Sequence, residues 1–280
     1  MFSMNRLSTE KRAAILGMLV EGNSLRATAR MAGCSLNTIS KLLLDIGEAV
    51  TDFQDRTLVD LPCKTLQCDE IWSFVYAKAK NVPADRQGEF GVGDVWTWTA
   101  IDADTKLVPT WFVGQRTAED GFLFMMDLKG RLANYVQITT DGLASYAAAI
   151  GFSFGTEVDW AVLQKTYRSD RAERRYSPGV CTGMDIEVKR GYPDPAKIST
   201  SYVERQNLTM RMGMRRFTRL TNGFSKKVDN HMAAVALHFC HYNFARPHTT
   251  LANPYPRTPA MAAGVADHIW TMSEIAGLLD

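Results

Sequence analysis

CDEIWSFV, residues 68–75, places two adjacent carboxylates at the head of an apolar and aromatic run. The flanking LQCDEIWSFVYAK, rich in β-branched and aromatic residues, reads as a strand. An acid inside such a strand is costly unless it is paired, hydrogen-bonded or holding a cation. That cost makes Asp69 and Glu70 the first candidates for a site, and the neighbouring elements decide where they sit.

Outward from this strand, DVWTWTAIDADT and LVPTWFVGQ also read as strands, with a tight connection at Asp104-Thr105. TAEDGFLFMMDLKGRL reads as an amphipathic helix capped by Thr117. YVQITTDG is a buried strand ending in Asp141 and a glycine, LASYAAAIGFSF a helix, and VDWAVLQ a further strand. Residues 165–200 are polar and read as a loop, so an insertion is expected near 160–199. A long helix starts near Thr200, a second covers 226–243, and ARPHTTLANPYPRTP is irregular. The order predicts an α/β fold. The first three strands form an antiparallel meander, and the fourth and fifth, each reached through a helix, join it in parallel.

Ahead of the sheet the pattern is helical. Ser8, Ser24 and Ser35 are N-cap signals, and Gly33 separates two short helices, the second running to about Ile46. A small Ala29, a turn glycine and an apolar Ile39 fit a helix-turn-helix. Its second helix would offer Asn37, Thr38 and Lys41 to a DNA major groove; a purely structural three-helix module is the alternative. The expected organisation is a helix-turn-helix domain at 1–50, a linker at 51–65, an α/β domain at 66–255, and a tail at 256–280 with a terminal amphipathic helix.

The 280 residues carry a formal net charge of +2, which alone says nothing about nucleic acid. The basic residues are clustered, in KTYRSDRAERR at 165–175 and among Arg205, Arg211, Arg215, Arg216, Arg219, Lys226 and Lys227, as a polyanionic partner requires. No leader pattern opens the sequence and no apolar run reaches a membrane span, so a cytoplasmic, nucleoid-associated protein without a membrane partner is expected. Five scattered cysteines fit reduced thiols rather than a disulfide framework.

Three acids lie at positions that can converge. Asp69 is on the first strand, Asp141 at the end of the fourth, and Glu204 in the first turns of the long helix. With the first and fourth strands side by side, a helix packed on the sheet brings Glu204 within reach. Three carboxylates in one semi-buried pocket require cations, and hard oxygen ligands favour Mg²⁺, with Mn²⁺ as a substitute. Two such ions about 3.5–4 Å apart support phosphodiester chemistry. On the long helix, Glu204, Leu208, Arg211 and Arg215 share one face, while Val203, Met210, Met214 and Phe217 form an apolar stripe for the sheet.

CDEIW, ITTDG and SYVERQNLTMRMGMRRFTR, followed by HYNFARPHTTL, resemble the DDE transposases of the IS1-like insertion-sequence group across residues 60–255. The VERQN and YN-x-x-RPH blocks are the most specific parts. The resemblance implies an RNase H-like mixed sheet flanked by helices, with a catalytic and metal-binding triad at Asp69, Asp141 and Glu204. It implies end-DNA contacts at Asn207 and Arg211, to which Arg215, Arg246 and His248 are added as DNA-binding candidates. The implied activity is metal-dependent 3′-end cleavage and strand transfer on double-stranded DNA, by a homodimer or larger assembly. The long interval between Asp141 and Glu204 and the lack of paired CxxC motifs depart from the pattern. A nuclease that does not join strands and a non-catalytic DNA-binding regulator are the alternatives.

Other candidates read as structural. Glu70 points away from Asp69 on a strand and faces outward or pairs with a basic side chain. Asp94, Asp102 and Asp104 read as hairpin or cap acids. His238, Cys240 and His241 diverge on a helix and do not make a zinc site. Trp72, Trp96, Trp98 and Trp111 read as core or sheet-face residues.

Overall fold

The computed structural model describes residues 6–168, 180–218 and 222–280. Residues 169–175 of the basic stretch at 165–175, the middle of the expected insertion and Arg219 lie outside the described residues.

Helices α1 (Thr9–Val20), α2 (Leu25–Ala32) and α3 (Leu36–Thr57) lead the chain. The hydroxyls of Ser8, Ser24 and Ser35 each accept a backbone N–H three residues on, satisfying an otherwise orphaned donor. Gly33, at φ 61°, makes the left-handed turn between α2 and α3. The stop expected near Ile46 is not there. Residues 51–57, expected as linker, are the last turns of α3, with Val50 and Gln54 buried. The glycine beside that expected stop, Gly47, serves packing instead. A Cβ on it would lie 2.4 Å from Ala233 Cβ of α7 (Val228–Cys240), so only glycine lets the two helices meet there.

The sheet has six strands: β1 (Thr65–Val75), β2 (Gly93–Asp102), β3 (Trp111–Gly114), β4 (Val136–Thr140), β5 (Val158–Arg168) and β6 (Val180–Arg190). Their order is β3-β2-β1-β4-β5-β6. β1 runs antiparallel to β2 and β2 to β3, while β1, β4 and β5 are parallel and β6 closes antiparallel on β5. The meander and the parallel addition are as the sequence predicts. β6 is not, since the polar stretch after β5 was expected as loop. Between β3 and β4 lies α4 (Ala118–Arg131), between β4 and β5 lies α5 (Ser145–Phe154), and α6 (Ser201–Gly213) follows β6.

β1 is the centre of the molecule. Its alternate residues enter two apolar clusters. Leu66 and Cys68 join Trp98, Ile138, Phe124 of α4 and Tyr146 of α5. Ile71 and Val75 join Val95, Val113, and Val203 and Met210 of α6. Val203, Met210, Met214 and Phe217 are all buried, as the expected stripe requires, although the α-helix ends at Gly213 and the stripe finishes in a 3₁₀ turn.

After α7 the helix continues as a π-turn over His241–Ala245. The tail forms α8 (Pro259–Ala262) and α9 (Met272–Gly277), the latter opened by a reciprocal Thr271–Glu274 capping box. It packs inward: Ile275 and Ala276 are buried, Trp270 lies on Phe53 and Phe244, and Asp280 meets Arg12 at 2.7 Å. No helix among the described residues is long and apolar enough to cross a membrane.

Candidate active site

The site follows from unequal strand lengths. β1 and β4 pair from Thr65–Gln137 to Cys68–Thr140, and there β4 ends while β1 continues to Val75. Asp69 and Glu70 are the first residues of β1 past this limit, and Asp141 is the first residue after β4. The result is a notch at the carboxyl end of a parallel strand, where α/β sheets characteristically place ligands. Asp69 and Glu70 do leave the strand on opposite sides. With no strand between them at the notch, both reach Asp141, and one oxygen from each of the three acids lies within 4.8 Å of the others. Among the described residues this is the one group of acids, histidines or cysteines arranged to hold a metal ion.

Asp69 points to the α6 side. Its Oδ2 accepts Asn207 Nδ2 at 2.8 Å, and its Oδ1 accepts the Glu70 N–H at 2.9 Å. Glu70 points to the α5 side and is buried. Its Oε1 accepts Arg116 Nε at 2.8 Å and Nη2 at 2.6 Å, and its Oε2 accepts the Tyr146 hydroxyl at 2.9 Å. Pairing with a basic side chain was one of two expectations for Glu70; exposure, the other, is not found. Arg116 also lies 3.7 Å from Asp141 Oδ2 and rests 4.7 Å from the centroid of the Trp96 ring. Asp141 Oδ1 accepts the Leu143 N–H at 2.9 Å.

Glu204 stands outside this tight group. Its Oε1 takes Lys165 Nζ at 2.6 Å and the Thr200 hydroxyl at 2.7 Å. Its helix is nevertheless tied to β1. Thr200, the N-cap of α6, makes no capping bond, and Gln67 of β1 supplies one from outside, its Oε1 accepting Tyr202 N–H at 2.8 Å and Val203 N–H at 3.2 Å. The residue two before Asp69 thus fixes the first turn of the helix carrying Glu204.

The electrostatics are those of an acid pocket short of positive charge. Burial, then Glu70 and Asp141, push the Asp69 carboxyl up to about 7, with Glu204 adding to the effect. Burial and Asp141 also raise Glu70, against the opposing pull of Arg116. Four carboxyl groups meet two cations, Arg116 and Lys165. Two negative charges are left unbalanced when all are ionised. An all-oxygen donor set with that deficit fits one or more hard divalent cations.

Of the expected DNA contacts, Asn207 is buried against Asp69, so its reach is to the acid. Asn37 is exposed, the Thr38 hydroxyl lies 2.8 Å from Ser35 Oγ, and Lys41 pairs with Asp45 at 2.7 Å. Arg215 and Arg246 are exposed, and Arg211 is half-buried. His248 Nδ1 lies 2.9 Å from the Thr250 hydroxyl, beside Tyr242. Asp102 is a buried hairpin acid, receiving Thr105 N–H at 2.8 Å, and Asp94 receives Ala79 N–H at 3.0 Å. His238 lies buried 3.3 Å from Gln206, and Cys240 is in the core. Trp98 is fully buried against Tyr146, and Trp111 stacks on Phe239. Arg116, Tyr146 and Gln67 were not singled out in the sequence, and Lys165 was noted only as part of a basic stretch. Nothing local marks their partners, because each acts across a long separation.

The sequence matches no protein-family signature and no curated protein sequence. Among solved structures it is similar to the piggyBac transposase synaptic complex with hairpin DNA, at 12% identity and a TM-score of 0.37, covering 100% of this chain and 73% of that one. The Mos1 transposase paired-end complex aligns at 13% identity and a TM-score of 0.24, over 58% of this chain, and the chain spans 60% of that protein's length. The Mos1 strand transfer complex aligns at 12% identity and a TM-score of 0.25, covering 86% and 79%. At these scores the superpositions leave the site to be read from its own geometry.

Proposed function

We propose that the protein is a DDE-type DNA transposase, with an RNase H-like domain carrying the notch and an N-terminal helix-turn-helix that reads element ends. The observation that carries this is the meeting of Asp69, Glu70 and Asp141 within 4.8 Å at the end of β4, with Glu204 on the helix that Gln67 fastens to the same strand. Of the sequence motifs that resemble DDE transposases, CDEIW and ITTDG fall on this notch and VERQN on α6, while HYNFARPHTTL follows α7.

Asp69 and Asp141 would hold Mg²⁺ or Mn²⁺, with Glu204 completing the set from α6. Held by these acids, divalent ions would supply Lewis-acid activation of the attacking oxygen and stabilisation of the leaving one. Both Glu70 oxygens are engaged by Arg116 and Tyr146, so Glu70 anchors Arg116 in place. Arg116, bridging Glu70 and Asp141 and open to solvent on one side, is positioned to receive a phosphate oxygen. Asn207 fixes the rotamer of Asp69.

The reaction has two steps. Water displaces one P–O bond at the element end and leaves a 3′-hydroxyl. That hydroxyl then displaces a P–O bond of target DNA, so one bond forms as one breaks. Joining two ends to one target requires a homodimer or larger assembly on DNA.

The test is cleavage and joining of labelled element-end DNA with Mg²⁺ or Mn²⁺, wild type against Asp141→Ala. Metal-dependent joining lost in the variant, with DNA binding kept, is the expected result. Cleavage that never joins would make the protein a nuclease, and binding without any cleavage would make it a regulator.

A further inference from the structure

A second charged feature lies away from the notch. A cavity of about 840 Å³ separates the N-terminal helices from the end of α6, the segment 222–226 and α7. Among the described residues four cationic side chains line it, Arg26, Arg215, Arg216 and Lys226, and no Asp or Glu does. In a chain of nearly balanced charge, that one-sided lining marks a site for an anion.

Arg216 sharpens the point. It is partly buried, and its Nε is shielded from solvent without a hydrogen-bond partner. No ion pair or hydrogen bond holds its guanidinium among the described residues. Burial alone lowers its pKa, to about 10, so it stays charged at neutral pH. A guanidinium N–H shielded from water without a partner is costly, and an entering anion would relieve that cost.

The remaining wall is apolar. Leu19, Leu36, Leu43, Met214 and Phe224 face the cavity, with the amides of Asn37 and Asn230 among them. A phosphate alone has no use for such a wall, whereas a nucleobase is a flat apolar face edged with hydrogen-bonding groups. We infer that this cavity takes one unpaired nucleotide of DNA, its phosphate on Arg216 and its base against the apolar wall. The inference rests on the transposase reading and extends it, giving a place for a nucleotide unstacked at an element end.

The test is fluorescence anisotropy of the full chain with a short labelled oligothymidylate and with an abasic strand of equal length, between about 50 and about 200 mM salt. Wild type should bind the oligothymidylate about tenfold more tightly than the abasic strand. Arg216→Gln should weaken the oligothymidylate about tenfold and reduce the salt slope by about 0.7, without lowering the melting temperature, since no native pair is lost. Ala234→Met, which fills the cavity from α7 and keeps every cation, should abolish the preference for the strand with bases. Unchanged affinity and slope in Arg216→Gln would overturn the nucleotide site while leaving the transposase reading intact. So would equal binding of both strands by wild type. A wild type that binds neither single- nor double-stranded DNA would overturn both.

Discussion

The notch at the end of β4 and the cavity beside α3 are opposites in charge and in wiring. In the notch every acid is held by at least one internal donor: Asp69 by Asn207, Glu70 by Arg116 and Tyr146, Asp141 by the Leu143 amide, Glu204 by Lys165. In the cavity Arg216 is held by no such partner. A net charge of +2 conceals both. The difference teaches that the two sites await different things. Fixed acids with a charge deficit are preorganised for small cations, whereas a loosely held guanidinium suits an anion that brings its own geometry.

The contrast breaks most visibly in catalysis. Asp141→Ala should cost more than about 10³-fold in metal-dependent strand cleavage, measured with saturating Mn²⁺, while affinity for duplex DNA stays within about twofold because no phosphate contact is removed.

Next in size is the pH dependence. An Asp69 carboxyl raised to about 7 in the folded, metal-free protein binds a proton that the unfolded chain, titrating near 4, has already released. Between those values the native state holds more protons, so stability falls as pH rises. The fall should be on the order of 4 kcal/mol, and Asp69→Asn should flatten it, read from urea midpoints at a series of pH values. Third is the half-buried pair. Glu70→Ala leaves the buried Tyr146 hydroxyl without its acceptor and Arg116, partly open to solvent, with Asp141 alone, and should lower unfolding free energy by about 2 kcal/mol in urea titrations; a loss below about 1 kcal/mol would mean that the pair behaves as an exposed one. Smallest is the cap. Gln67→Ala frees two N–H groups of α6 and should cost about 1 kcal/mol, with faster hydrogen exchange in the first turn of that helix.

The sheet was legible where it is half-buried or buried. β1, β2, β4 and β5 follow from apolar runs bounded by turn residues; the neighbouring of β1 and β4 was a condition for Asp69 and Asp141 to meet, and the strand order of the sheet supplies it. β6 was missed although MDIEVK at 184–189 alternates apolar and polar residues: the stretch around it is polar, and the apolar face of Met184, Ile186 and Val188 is exposed at the sheet edge. The last turns of α3 were missed because their burial is created by α7, far along the chain. Asp69 was legible as an acid inside an apolar strand and Asp141 as an acid at a strand end. Glu70 was misplaced because strand alternation describes a continuous sheet, and the alternation loses its consequence where β4 stops. Arg116 was invisible for the same reason as Gln67, a single polar residue carrying no trace of the distant acid or helix it meets, while Lys165 was read only as part of a basic cluster and not as the partner of Glu204.

The central claim is that the notch is built for divalent cations, and calorimetric titration of Mn²⁺ into the DNA-free protein tests it most directly. The account predicts saturable binding by wild type, weakened at least about tenfold in Asp69→Asn because one ligand charge is lost from the set. Equal binding by both proteins, or no binding by wild type at millimolar Mn²⁺, would contradict it.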